Sequence, residues 1–437
     1  MDYTLIHYHP ELWEGRAYVF LQQKLLSEKW PIKHLRFDAT QACRGLIIDR
    51  LHGNLVKANR FGFIKQARHG TKLLDLESQR IIYGRTIIDL ADSRWVFLNT
   101  LFSLSEGCIY TQLVDLLDQK LIPEPLSYST LYDKIVSVLQ EAHLEGAVKA
   151  DIQADPERYI ALDPEVPRTL LDQHRAGKKL VLITNSEWNY TQSMMSTCFD
   201  RFLGTSWQSL FDLIIVEARK PLFFTASEAM KPFFAITNST IPTLVRPMRP
   251  GEPLEKGVAY LGGSAQGVER ALGLTGDDIL YIGDHMFGDV HVSKNALRWR
   301  TALILRELEG EIAAEQSFEQ NQILLDALMR QKESLEHEIC QERLALLQSH
   351  STERLHALRA AIDTLDMQIG PLAEQASRLH NEHWGLLFRA GNDKSYLAYQ
   401  MERYADVYTS RVSNFFHATP FAYIRSHRGS LPHTTHM

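Results

Sequence analysis

At 437 residues with 45% hydrophobic side chains, the chain can bury a sizeable core and is long enough for more than one domain. A formal net charge of −6 argues against general nucleic-acid binding, although a local basic pocket for a phosphorylated small molecule stays open. Four scattered cysteines, Cys43, Cys108, Cys198 and Cys340, form no CxxC pair, and no apolar run is long enough to span a bilayer, so the expected setting is the reducing cytoplasm without a membrane partner.

The opening Met1-Asp2-Tyr3-Thr4-Leu5-Ile6 brings acidic, hydroxyl and apolar residues together with no strand before them. Over residues 13–30, Tyr18, Val19, Leu21, Leu25 and Leu26 recur at helical spacing among Gln22, Gln23, Lys24 and Glu28, which predicts an amphipathic helix. Two short strands follow at 45–49 and 54–57, flanking a turn at His52-Gly53, so a hairpin interrupts any simple alternation of strand and helix. Residues 95–146 read as mostly helical, with Ile135, Val136, Val138 and Leu139 on the apolar side of the last helix.

A helix over 165–177 ends at glycine and leads into Lys179-Leu180-Val181-Leu182-Ile183-Thr184, a buried strand that stops at Thr184-Asn185-Ser186. Another helix runs through Met194 and Met195. A third apolar run at 211–216 ends in Glu217-Ala218-Arg219-Lys220-Pro221. A fourth, Ile279-Leu280-Tyr281-Ile282-Gly283, delivers Asp284 and Asp289 to a loop. Strands that end in polar chemistry and alternate with helices predict an α/β fold with a doubly wound parallel sheet.

From 310 to 370 the composition turns to Glu, Gln, Leu, Ala and Arg, and Leu355, Leu358, Ile362, Leu365, Ile369 and Leu372 alternate steps of three and four. That is the seam of a helical hairpin or coiled coil, read as packing. The aromatic-rich segment 384–423 is expected to pack on the body, with only the last residues frayed.

In open α/β sheets, ligands bind beyond the carboxyl ends of the strands, and here those ends carry Asp, Thr, Lys and a Gly-Asp pair. This donor set suits phosphoryl transfer. A carboxylate attacks phosphorus, a second protonates the leaving oxygen, a lysine and Mg²⁺ neutralise charge, and a hydroxyl with backbone amides holds the oxygens. Singly, Thr184 is equally a β-branched strand terminus, Lys220 a turn residue, Asp2 a helix cap and Lys149 a surface charge.

Together, Met1-Asp2-Tyr3-Thr4-Leu5, Thr184-Asn185-Ser186, Ala218-Arg219-Lys220-Pro221 and Gly283-Asp284-His285-Met286-Phe287-Gly288-Asp289 resemble the four motifs of the haloacid dehalogenase (HAD) superfamily. More narrowly they resemble the cytosolic purine (IMP/GMP-type) 5′-nucleotidases. The similarity also covers Arg44-Gly45-Leu46, Gly53-Asn54-Leu55, Asn99-Thr100-Leu101-Phe102, Arg298-Trp299-Arg300-Thr301 and Arg403-Tyr404-Ala405-Asp406.

The resemblance implies a HAD-like, Rossmann-like core: its opening at 1–30, an inserted cap at 31–160, the remaining core at 161–306, the hairpin at 307–380 and a C-terminal segment at 381–437. It makes Asp2 the general acid and base and a Mg²⁺ ligand, Thr184 and Lys220 catalytic, and Asp284 and Asp289 metal residues. Asn185, Ser186 and Lys149 would contact substrate, with Phe102 and His143 near the base. Asn99, Gln400, Arg403 and Tyr404 match an effector site. A homo-oligomer acting on a nucleotide is the implied assembly.

The sequence departs from that pattern in places. The family's nucleophile is the first Asp of Asp-x-Asp, and Met1 holds the middle position, so the first core strand and nucleophile are expected upstream of this start. Ser103 stands for an asparagine, and Val136 and Gln140 for an arginine and an aspartate, which leaves purine preference open, while Asn295 stands for a lysine of the effector site, which leaves regulation by nucleotides open. A phosphatase of another phosphorylated metabolite, or a scaffold on a silent phosphatase core, are the alternatives.

Overall fold

The computed structural model describes residues 1–123, 126–237, 245–249, 251–345 and 353–424, apart from the side chains of 142–145 and 147. The expected frayed end, from Arg425 onward, lies outside the described residues.

The parallel strands fall in two sheets. One has strands Val181–Ile183, Leu213–Val216 and Ala259–Gly262 side by side in parallel, extended antiparallel by Phe233–Ile236 and Val245–Pro247. The other runs parallel through Leu280–Gly283, Arg300–Ile304 and Val407–Thr409. Strand Leu213–Val216 is buried at every position, as a strand covered on both faces requires.

A separate five-stranded sheet is antiparallel throughout, in the order Lys72–Leu73, Ile64–His69, Asn54–Ala58, Ile47–Asp49, Trp95–Phe97. Its centre is the hairpin expected around His52-Gly53. The span 95–146 is mostly helical, as expected, through Leu104–Asp118 and Tyr128–Glu145, and the short strand Trp95–Phe97 at its start is the one element not anticipated there.

Helix Pro10–Ser27 joins the two regions through its own periodicity. Trp13 sits in one core with Tyr3 and Tyr8, whereas Tyr18, Leu21 and Leu25 sit in the core under the antiparallel sheet. The helices Leu308–Ala345 and Glu353–Ser377 lie antiparallel, with Lys332 paired to Asp366 at 2.6 Å and Arg354 to Glu342 at 2.9 Å. Leu355, Leu358 and Ile369 of the expected seam are buried. No described helix is long and apolar enough to cross a membrane.

Candidate active site

Two loops beyond the 181–183 and 213–216 strands are knitted together. The Thr184 N–H continues the ladder to Ile215 C=O at 2.9 Å, and the buried Thr184 hydroxyl accepts the Ser186 N–H at 3.1 Å, which turns the chain. Across from it, Glu217 and Arg219 hold φ of 47° and 58°, a region side chains other than glycine seldom enter. The bonds that hold them there come from the first loop. Glu217 N–H donates to Ser186 C=O and Ala218 N–H to Thr184 C=O, both at 3.0 Å. The Asn185 amide both accepts from the Lys220 N–H at 2.7 Å and donates to the Lys220 C=O at 3.2 Å. Lys220 is thus aimed by the Thr184-Asn185-Ser186 turn.

Its target is the loop after the 280–283 strand. Lys220 Nζ donates to Asp289 Oδ1 at 2.7 Å and to Tyr281 Oη at 3.1 Å, and the Tyr281 hydroxyl donates to the same carboxylate oxygen at 3.0 Å. A Cβ on Gly283 would meet the Asp289 carboxylate at 2.7 Å, so only glycine leaves room for that side chain to fold back. Burial pulls the Lys220 ammonium down, but Asp289 and Tyr281 outweigh it and hold its pKa above the usual range. Burial likewise opposes ionisation of Asp289, and Lys220 reverses the sign, keeping that carboxyl below its ordinary value. Asp284 has no such counterion among the described residues. Burial first, then the charge of Asp289, pushes its carboxyl above the usual range.

The N-terminal turn closes the site. Met1 C=O accepts N–H bonds from Thr4, Leu5 and Ile6 at 3.2, 2.8 and 3.2 Å, and Thr4 donates its hydroxyl to Asp284 Oδ1 at 2.8 Å. Asp2 Oδ1 accepts the Tyr8 hydroxyl at 2.5 Å and Oδ2 the Ser186 hydroxyl at 2.9 Å. Lys149, on helix Ala147–Ala154, reaches Glu187 at 2.9 Å and Ser186 Oγ at 3.4 Å, and lies 4.8 Å from the Tyr190 ring centre.

Asp2, Lys149, Thr184, Asn185, Ser186, Lys220, Asp284 and Asp289 therefore belong to one bonded cluster. Arg44, of the Arg44-Gly45-Leu46 stretch, was not among the expected site residues but touches this cluster. Its buried guanidinium donates to the Asp284 C=O at 3.0 Å and approaches Glu307 at 2.8 Å, fastening the backbone of the loop that carries Asp284 and Asp289.

Phe102 packs in an aromatic group, 4.7 Å from Tyr3 and 5.3 Å from Trp13 between ring centres. His143 lies on helix Tyr128–Glu145, and its side chain is outside the described residues. Gln400, Arg403 and Tyr404 share helix Tyr396–Tyr404, and Asn99 follows strand Trp95–Phe97, whose Phe97 ring lies 6.0 Å from Tyr396. Tyr404 stacks edge-on against His291 at 4.2 Å. Asn295 bonds His291 at 2.8 Å.

No group of three or more His, Cys, Asp or Glu side chains among the described residues is arranged to hold a metal. Mg²⁺ asks for less: one or two carboxylates, waters and substrate phosphate oxygens. Asp284 and Asp289, two buried carboxylates of which only Asp289 has an ion pair among the described residues, fit that ion chemically.

The sequence profile of the 5′ nucleotidase family matches residues 1–436. The chain belongs to that family. A 5′-nucleotidase domain-containing protein of Dictyostelium discoideum is 26% identical over 450 residues, covering 99% of this chain and 71% of the relative. Membership makes this 5′ nucleotidase family protein a phosphoric monoester hydrolase by class, with nucleoside 5′-monophosphates as the general substrate.

Proposed function

We propose that the protein is a Mg²⁺-dependent 5′-nucleotidase of HAD type that hydrolyses purine nucleoside 5′-monophosphates through an aspartyl-phosphate, and that it transfers the phosphoryl group to a second nucleoside when one is bound. The observation that carries this reading is the Lys220–Asp289–Tyr281 triangle beside Asp284, with Thr184 and Asp2 bonded into the same cluster.

In this reading Lys220 and the Thr184 hydroxyl bind phosphoryl oxygens, and Asp2 gives a proton to the departing 5′ oxygen and later takes one from water. Asp284 and Asp289 would hold Mg²⁺, which supplies charge neutralisation at the phosphoryl group. The resemblance calls for an attacking aspartate two positions before Asp2.

The test is phosphate release from a panel of 5′- and 3′-monophosphates with and without Mg²⁺. Turnover confined to 5′-monophosphates, led by purines and lost to a chelator, is expected. Turnover of sugar phosphates but not nucleotides would replace the substrate, and no turnover of any monoester would remove the reading.

A further inference from the structure

Asp2 is held by two neutral hydroxyls, and one of them is backed by another. The Tyr8 hydroxyl lies 2.5 Å from Asp2 Oδ1 and 2.9 Å from the Tyr190 hydroxyl. An ionised carboxylate only accepts hydrogen bonds, and each phenol has one proton. Tyr8 therefore donates to Asp2, and Tyr190 donates to Tyr8, a directed chain whose members strengthen one another.

Both rings are fully buried, at 2% and 0% exposure, so the hydroxyls cannot swing to water. Tyr8 is fixed by the antiparallel pairing of His7–Tyr8 with residues 160 and 161 and by the Trp13 ring 4.5 Å away. Tyr190 is fixed on helix Trp188–Met195, the element that follows the Thr184-Asn185-Ser186 turn. The chain thus links the N-terminal turn to the phosphoryl-binding turn.

We propose that Tyr8 and Tyr190 are positioning residues that hold Asp2 for proton transfer, committing Oδ1 to the phenols and leaving Oδ2, beside Ser186, as the oxygen that exchanges a proton with the leaving group. The proposal rests on the phosphatase reading above. In the step concerned, the attacking carboxylate oxygen bonds to phosphorus as the bond from phosphorus to the 5′ oxygen breaks. The proton on Asp2 Oδ2 passes to the departing 5′ oxygen. Asp2 is left as a carboxylate that accepts from Tyr8 and Ser186.

A positioning role for an acid is exposed by the leaving group. A nucleoside alkoxide needs the proton, whereas p-nitrophenolate leaves without it. The experiment compares Tyr8→Phe, Tyr190→Phe and the double variant with the parent protein. It reads kcat/KM, which ends at leaving-group departure, for a nucleoside 5′-monophosphate and for p-nitrophenyl phosphate. Tyr8→Phe is expected to lose about 30-fold on the nucleotide and under about 3-fold on the aryl ester. Tyr190→Phe should lose about 5-fold on the nucleotide with the same selectivity, and the double variant should be no worse than Tyr8→Phe alone, because the two act as one unit.

Equal losses on both esters, or undiminished nucleotide turnover, would overturn the proposal, since a merely structural role does not distinguish leaving groups. A parent protein inactive on both esters would instead overturn the phosphatase reading and this inference with it.

Discussion

The N-terminal segment and the strand ends handle carboxylates in opposite ways. On the side built from residues 1–14, the carboxyls meet neutral donors: Asp2 takes bonds from Tyr8 and Ser186, and Glu14 takes both the N–H and the hydroxyl of Ser105 at 2.8 and 2.7 Å. On the strand-end side, Asp289 meets an ammonium ion 2.7 Å away. Burial acts on Glu14 and on Asp289 in the same direction, so the partner decides the outcome: Glu14 is pushed up to about 7, whereas Asp289 is held below its ordinary range. One fold thereby keeps one carboxyl, Glu14, that can carry a proton near neutrality and one, Asp289, that does not.

The contrast breaks most visibly at Lys220. Lys220→Met keeps the length of the side chain and strands the Asp289 charge in the interior, which costs about 3–5 kcal/mol when one partner of a buried pair is removed. Urea unfolding should show that loss. Phosphatase activity should fall by about 10³-fold, as expected for removal of a charge aimed at the reacting group. A variant as stable as the parent would mean that Asp289 is not held by the lysine.

Next in size is Glu14, the carboxyl with neutral partners. Its folded pKa of about 7 stands above the ordinary 4.5, so the folded state binds the extra proton between those values. Stability contributed by that proton is fully present below pH 4.5 and is lost as pH rises through 7. Glu14→Gln removes the loss, and the variant should gain about 3 kcal/mol on the parent between pH 4.5 and pH 8, read as the difference between their unfolding curves. A difference that does not change with pH would show that Ser105 holds the carboxylate as firmly as a cation would.

Why part of this was legible in sequence and part was not follows from separation along the chain. The strand ends at Thr184, Lys220 and Asp284 could be read because an apolar run and its polar terminus are neighbours. The long helices at 308–345 and 353–377 could be read because their composition is uniform.

Pairings between distant segments leave no local mark. Tyr8 and Tyr190 are 182 positions apart and Arg44 and Asp284 are 240 apart, and neither partner's neighbours announce the other. The same blindness hid the division of the parallel strands into two sheets, since local apolar runs do not say which edges meet. The strand Trp95–Phe97 was lost inside a helical span because three residues are too few to establish a period.

Asp284 stands between the two kinds of carboxyl. It is buried beside Asp289, takes a hydroxyl from Thr4 and has no ion pair among the described residues. Asp284→Asn removes a group that burial and a like charge disfavour, so the fold should be no less stable and is expected to gain slightly, by a shift of a few degrees in Tm at pH 7. Activity at saturating Mg²⁺ should nevertheless fall by about 10²-fold or more, because the amide is a poor ligand for a hard cation. Opposite signs for stability in Lys220→Met and Asp284→Asn would sharpen the distinction between a carboxylate that is already neutralised and one that awaits a cation. Matching losses in both would erase it.

The smallest effect belongs to Tyr281. Its hydroxyl donates to Asp289 and accepts from Lys220, while its ring packs edge-on to Phe224 at 5.1 Å and near Trp299 at 6.0 Å. Tyr281→Phe keeps the ring contacts and leaves the 2.7 Å ion pair in place, removing only neutral hydrogen bonds to charged groups. Such bonds contribute about 1.5–3 kcal/mol, and the lower end applies here because lysine and carboxylate still satisfy each other. Turnover should drop less than about 10-fold, the cost of loosening rather than losing the lysine. A loss as large as that of Lys220→Met would transfer the role of holding Asp289 from the ammonium to the phenol, and the strand-end side would then resemble the side where Tyr8 holds Asp2.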